Sequence, residues 1–296
     1  MLCRREFLGW SAAAVAGLVL PRRAGAAEAP LRTITYNVCR CHGWPERPGN
    51  RAELLALRPR LPEKVALQLR RYAPDIITLS EAPEEDAVAL MAQALEMNYA
   101  FFSSTEGFPG AILTRFELRS SEDRPYKGGE RCPRELFTRH FGRALLGTPD
   151  GELAVCSIHL HPMNNEVRER ECAAAMEVLA DDLAAKRSLL LQGDFNYGPD
   201  NPQYAQWKAA GMLDTFAAKG SGPDGTVTSA DPRRRIDYIW AHGPIAARCS
   251  ACRVLAEAPF RFDRKDLKAY SFSDHLPVLA EFAGADAPAA AKTANP

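Results

Sequence analysis

The chain has 296 residues, 46% hydrophobic and 25% charged, with 37 basic against 37 acidic side chains. Those are the proportions of a globular protein of one or two domains, large enough to bury a core without disulfides or structural metals. They exclude collagen, a low-complexity chain and a multi-span membrane protein, and a formal charge of zero argues against a nucleic-acid coat.

The charge balance changes once the first 27 residues are set apart. Arg4-Arg5-Glu6-Phe7-Leu8 is followed by an apolar run over 10–20 and then Ala24-Gly25-Ala26-Ala27. The run is about half of the ~20 residues a membrane span needs. A short anchor or buried helix is the alternative, but charged start, apolar middle and small-residue end together resemble a bacterial Tat-type signal peptide. That pattern implies export to the periplasm or medium, with no stable membrane insertion after cleavage. Removing Arg4, Arg5, Arg22, Arg23 and Glu6 leaves 33 basic and 36 acidic groups, a net charge of −3. Seven cysteines remain, at positions 39, 41, 132, 156, 172, 249 and 252. The pairs Cys39/Cys41 and Cys249/Cys252 are expected to be loop or strand cysteines with one disulfide, rather than metal or redox pairs.

Beyond the signal, strand-like and helix-like segments alternate. Residues 31–38 alternate apolar and polar as a strand. Residues 61–72 and 84–97 have helical spacing, separated by a short apolar run at 75–79 that Pro74 keeps out of the preceding helix. Strands are expected at 99–102, 110–114, 141–146, 153–160, 188–192, 236–241 and 276–282, and helices at 167–185 and 202–210. The polar stretches 41–51, 120–134 and 219–235 read as loops, and loops of that length are often functional. No composition break divides residues 28–282, so one domain is expected, followed by an Ala/Pro-rich disordered tail over 283–296. The alternation predicts an α/β (α+β) class with some antiparallel pairing.

Chemistry-bearing residues sit where apolar runs stop. Asn37 ends the first strand and Glu81 the second. His159 follows Ser157-Ile158. Asp194 and Asn196 stand in Gly193-Asp194-Phe195-Asn196. Asp237 lies in Arg235-Ile236-Asp237-Tyr238, and Asp274-His275 precedes the last strand. If these ends converge, four carboxylates, two amides and two imidazoles share one site. Oxygen donors of that kind suit a hard cation, Mg²⁺ first, with Mn²⁺ or Ca²⁺ as alternatives. Four clustered carboxylates without a cation would repel one another or shift their pKa values. Asp237 beside His275 is the usual arrangement for orienting a histidine.

The ordered set, with Gly110-Ala111-Ile112-Leu113-Thr114-Arg115, resembles the endonuclease/exonuclease/phosphatase (DNase I-like) superfamily over about residues 31–282. The resemblance implies a four-layer sandwich, two packed mixed β-sheets flanked by helices, with the site at one end of the sheets. It implies Glu81 as principal metal ligand, Asn37 beside it on metal or phosphate, and Asp274 holding a metal directly or through water. Asp194 would orient the attacking water or hold a second metal. Asn196 would donate to a phosphate oxygen. His275, oriented by Asp237, would activate water or stabilise the charged transition state, and His159 would contact another phosphate oxygen or protonate the leaving group. Where the abasic-site endonuclease branch typically has tyrosine followed by Val-Pro-Asn, this chain has His159-Leu160-His161-Pro162. That resembles the branch of DNase I-like nucleases, sphingomyelinase-like enzymes and inositol-phosphate phosphatases. A carboxylate partner for His159 is not identifiable between Glu84 and Arg143. The reading is an exported, metal-dependent phosphoesterase, expected to be monomeric, acting on a phosphate-ester substrate by in-line attack of activated water. Little basic surface favours small phosphoesters, with extracellular nucleic acid next. A non-catalytic binding module on the same fold is the remaining alternative.

Overall fold

The computed structural model describes residues 29–129, 131–266 and 268–284. The segment read as an export signal, residues 1–27, and all but residues 283 and 284 of the predicted tail lie outside the described residues. In chain order the strands are β1 (Leu31–Asn37), β2 (Ile76–Ser80), β3 (Asn98–Phe102), β4 (Gly110–Thr114), β5 (Glu117–Asp123), β6 (His140–Thr148) and β7 (Gly151–His159). They continue with β8 (Leu189–Asp194), β9 (Leu213–Asp214), β10 (Gly220–Ser221), β11 (Asp237–His242), β12 (Cys249–Val254) and β13 (Val278–Phe282). The helices are α1 (Arg51–Leu57), α2 (Leu61–Arg70), α3 (Glu85–Leu95), α4 (Asn165–Ala184), α5 (Pro202–Ala209), α6 (Thr215–Lys219) and α7 (Pro244–Ala247).

Two mixed sheets result, in the orders β10-β12-β13-β1-β2-β4-β3 and β5-β6-β7-β8-β11-β9. Their packing follows from side-chain alternation. Along β7, Leu153 and Val155 join one apolar cluster, while Ala154, Cys156 and Ile158 join a second. In β8, Leu190 divides from Leu189 and Leu191 in the same way, and in β11, Ile239 and Ala241 divide from Tyr238 and Trp240. A strand buried on both faces must be apolar at every position, and for that reason these segments read as continuous apolar runs. The first cluster fills the space between the sheets and beneath α2 and α3. The second joins the outer face of the second sheet to α4 and α5. The order is therefore helices, sheet, sheet, helices, the expected four-layer sandwich. Thr33 and Gln192 tie the sheets across the inner layer with a buried hydrogen bond of 3.0 Å.

Helix starts are locally encoded. The Asn164 side chain accepts from the Val167 N–H at 3.1 Å to cap α4, and Asn201 caps α5 ahead of Pro202. Among the described residues no helix is long and apolar enough to cross a membrane.

Three expectations change. The stretch 120–134 is not all loop, because β5 runs through Asp123. This edge strand is exposed along nearly its whole length and so carries no apolar alternation. The short elements β9, β10, α6 and α7 occupy segments with too few residues to show a period. Finally, all seven cysteines are free thiols. Cys249 and Cys252 lie on β12, with a register irregularity between Cys249 and Ala251.

Candidate active site

Strand register assembles most of the site. On the second sheet His159 pairs with Asp194 across β7 and β8, and Asp194 pairs with Asp237 across β8 and β11. On the first sheet Asn37 pairs with Ser80, so Glu81 emerges one residue beyond that row. His159 shares its face with Val155, Asp194 with Leu190, and Asp237 with Ile239, all members of the inter-sheet core. Asn37 likewise shares the face of Thr33. The four side chains therefore enter the inner layer at one end, and a one-residue slip would turn any of them away.

The loop before β13 supplies the rest. The Ser229 N–H donates to the Asp274 carbonyl at 2.6 Å, and Leu276 N–H to the Thr226 carbonyl at 2.8 Å. This brace holds His275 against Asp237, with Nδ1 at 2.9 Å from Oδ2. The other ring nitrogen, Nε2, lies 3.7 Å from Asp194 Oδ2. His159 Nε2 lies 3.6 Å from the same oxygen, and Asn37 Nδ2 donates to it at 3.1 Å. Asn37 Nδ2 also faces Glu81 Oε1 at 3.2 Å, while its Oδ1 accepts from the Cys39 N–H. Asp194 Oδ1 accepts from the Asn196 N–H at 2.9 Å, and Asn196 Nδ2 donates to the Leu160 carbonyl at 2.8 Å. The other sequence-predicted residues thus gather with Asp194, and Asp274, bonded to the Ser273 hydroxyl at 3.3 Å, is close enough to act electrostatically on Glu81 and His275.

Five of the ten described non-glycine residues with positive φ lie at this end. Glu81 and Asn196 have positive φ of 47° and 55°, and Cys39, Arg40 and Cys41 form a run of three such residues. Gly193, at φ 150°, has no room for a side chain, since a Cβ there would lie 1.8 Å from the Ile158 carbonyl oxygen. Only glycine lets β8 approach β7 closely enough to set Asp194 beside His159.

The two histidines differ in charge. Burial opposes protonation of His275, but Asp237 and Asp194 outweigh it and raise its pKa to about 10. His159 is held well below the ordinary histidine value by burial, with His140 and Arg139 adding to the effect. Burial, then the Asp237 charge, pushes the Asp194 carboxyl up to about 7. Glu81 is raised by burial and by Asp274, against a lowering bond from Asn37. Asp237 Oδ1 and His159 Nδ1 are buried without a hydrogen-bond partner. Two carboxylates raised chiefly by desolvation, beside a third with an unpartnered oxygen, fit the protein ligands of a divalent cation. Asp194, Asp237 and His275 can bring ligand atoms within 4.8 Å of one another. Because His275 Nδ1 is bound to Asp237, the Glu81–Asp274 side has the donors better suited to a hard ion.

Several residues of this end escaped the sequence reading. Arg139 places its guanidinium 3.6 Å from the Phe108 ring centre, and Arg40 places its own at 4.7 Å. Phe108 meets His159 edge-on. The signal was present: Arg139 stands immediately before β6, at a strand end like the others, yet a run of arginines reads as a solvated face. His140 packs beside His159 and bonds Ser157 Oγ at 2.9 Å, and burial drops its pKa to about 3.

Comparison with known proteins places this geometry. The model of the Endonuclease/Exonuclease/phosphatase family matches residues 34–275. No curated protein matches the chain by sequence. Among solved structures, a mannosyl-6-phosphatase of Bacteroides thetaiotaomicron superposes with a TM-score of 0.65 at 20% identity, over 84% of this chain and 98% of that one. A functionally unknown conserved protein of Enterococcus faecalis gives 0.63 at 19% identity, over 86% and 100%. Truncated TDP2 of Caenorhabditis elegans gives 0.57 at 17%, over 86% and 98%. Since that family model spans most of the chain, the chain belongs to the endonuclease/exonuclease/phosphatase family.

Proposed function

We propose that this protein is an exported, divalent-metal-dependent phosphoesterase that hydrolyses small phosphate esters. The observation that carries the reading is the convergence of His159, His275 and Asn37 on one oxygen of Asp194, with Glu81 bonded to the same asparagine. Glu81 and Asp274, with Asn37 beside them, would hold a cation, Mg²⁺ first and Mn²⁺ or Ca²⁺ as alternatives. When bound, the cation polarises phosphorus and stabilises charge on the leaving oxygen. Asp194 Oδ2 and His275 Nε2 lie 3.7 Å apart at the same end of the site, so a water bonded to either would sit within reach of the other. Asp237 accepts from Nδ1 and fixes the His275 ring with Nε2 toward that water. His159 and the second Nδ2 hydrogen of Asn196 would contact phosphate oxygens, and the Arg139 guanidinium would add charge at the mouth.

The similarity to a mannosyl-6-phosphatase supports the small-substrate arm. A non-catalytic module would lack site residues, and none of the eight is missing. The test is an assay of the purified mature protein with Mg²⁺, Mn²⁺ or Ca²⁺ against mannose 6-phosphate, inositol phosphates, sphingomyelin, an aryl phosphodiester, RNA and plasmid DNA. Hydrolysis of a small ester, lost in Glu81→Ala and His275→Ala, supports the reading. Cleavage of nucleic acid alone would move the protein to the extracellular endonucleases. For export, processing of the precursor near residue 27, lost when Arg4 and Arg5 become lysine, is expected.

A further inference from the structure

The segment that follows His159 is far more tightly fixed than a surface loop needs to be. Leu160 turns into the second core, and the His161 ring beyond the end of β7 stays close enough to His159, Glu106 and Arg139 for their charges to act on one another. The His161 ring Nδ1 accepts from two backbone N–H groups, Met163 at 3.2 Å and Asn164 at 3.0 Å. An Nδ1 that accepts leaves Nε2 as the N–H of a neutral ring, so tautomer and orientation are both set. The His161 backbone is held as firmly. Its N–H donates to Glu171 Oε2 at 2.8 Å, and its carbonyl accepts from Arg168 Nη1 at 2.8 Å.

Glu171 is a fully buried carboxylate on α4 that takes no part in the chemistry above. Its second oxygen accepts from the Phe137 N–H at 2.8 Å. One carboxylate therefore bridges the loop leaving β7 and the loop entering β6, two residues from Arg139 on one side and at His161 on the other. The Thr138 carbonyl between them collects the Thr105 and Glu106 N–H groups and the Ser104 hydroxyl, which binds the Phe108 loop to the same frame. Arg139 Nε is buried without a hydrogen-bond partner, with Glu106 Oε2 beside it at 3.5 Å.

We infer that His161 is a specificity residue, whose Nε2–H, within the electrostatic reach of the Arg139–Glu106 pair, donates to an anionic oxygen of the substrate outside the scissile phosphate, and that Glu171 is the positioning residue that holds it there. The preferred class is a phosphoester whose leaving group carries a second phosphate. This rests on the phosphoesterase reading and specifies its substrate. A fixed neutral donor, with the Arg139 guanidinium partly offset by Glu106, recognises a phosphate oxygen without adding a charge of its own that a monoanionic substrate would also exploit.

The experiment compares KM for adenosine 3′,5′-bisphosphate and for bis(p-nitrophenyl) phosphate in the full mature protein with its divalent cation. His161→Ala should raise KM for the bisphosphate about tenfold more than KM for the aryl ester, as loss of a hydrogen bond to a charged group does. His161→Gln, whose amide nitrogen reaches near the imidazole Nε2, should recover part of that difference. Glu171→Gln should shift KM in the same direction, and long-range ¹H–¹⁵N spectra should show His161 as the Nε2–H tautomer in the parent protein. Equal effects on both probes, no recovery by glutamine, or an Nδ1–H tautomer would overturn the inference. If Glu171→Gln does not fold, the two His161 variants decide it. Hydrolysis of neither probe, nor of any ester in the wider panel, overturns the phosphoesterase reading itself and this inference with it.

Discussion

His275 and His159 face the same oxygen of Asp194 from opposite sides, at 3.7 and 3.6 Å, and both are buried. Their protonation is nevertheless opposite. His275 has Asp237 on Nδ1 and is raised to about 10, whereas His159 has no partner on Nδ1 and is pushed well below the usual value. Burial acts alike on the two rings, so the carboxylate behind the ring decides the outcome. One side of the site is built to carry positive charge, the other to offer a neutral donor or acceptor.

Removing the carboxylate should break the difference, and this is the largest effect expected. Asp237→Asn should lower kcat by roughly 10²- to 10⁴-fold, the range seen when the orienting acid of a histidine is neutralised. In the same variant, the His275 ring signals should titrate far below pH 10, close to those of His159. An unchanged titration would mean that Asp194 alone sets the charge of His275.

The next effect is on stability. A folded-state pKa above the unfolded value of about 6.5 stabilises the fold fully below pH 6.5, and that contribution is lost as pH rises towards about 10. In metal-free protein the loss should be a few kcal/mol, with the order of magnitude set by 1.36 kcal/mol per pKa unit. Denaturant melts at pH 6 and pH 10 should therefore diverge in the parent protein more than in His275→Ala.

Glu171 offers a control with no histidine in the pair. Burial, opposed by bonds from His161, Phe137 and Thr138 backbone groups, raises its carboxyl from 4.5 to about 7. A raised carboxylate gives stability that is present below pH 4.5 and lost as pH rises through 7. Glu171→Gln should remove that slope, roughly 3 kcal/mol across the window. A pH dependence identical to that of the parent would show that the carboxylate is ordinary in its surroundings.

The smallest effect belongs to the rim. Arg139→Ala should raise KM for a phosphate ester by about tenfold, as expected for one charge-assisted contact. A drop in kcat with KM unchanged would instead place Arg139 in the transition state rather than in ground-state binding.

The sheet strands were legible because burial on two faces forces continuous apolar sequence, as in β8 and β11, and the site was legible because its residues interrupt those runs at their ends. Asn37, Glu81, His159, Asp194, Asp237 and His275 all announce themselves this way. The exposed edge strand β5 did not, since nothing buries it. Arg139 shares the strand-end position but was hidden by its arginine-rich neighbourhood. Glu171 lies among the charged residues at the start of α4, where one buried carboxylate looks like its exposed neighbours Glu169 and Arg170. The bridging role becomes visible only when the loops at 137 and 161 are brought to its two oxygens, a long-range fact that no local pattern encodes.

The central claim is that these convergent residues hydrolyse a phosphate ester with a divalent cation. It is tested most directly by single-turnover hydrolysis of a small phosphate ester by the mature protein, with Mg²⁺ and after chelation, beside His275→Ala. Hydrolysis that needs the cation and falls by roughly 10³-fold or more in the variant is the expected result. Activity that persists without metal, or at parental rate in His275→Ala, would contradict it.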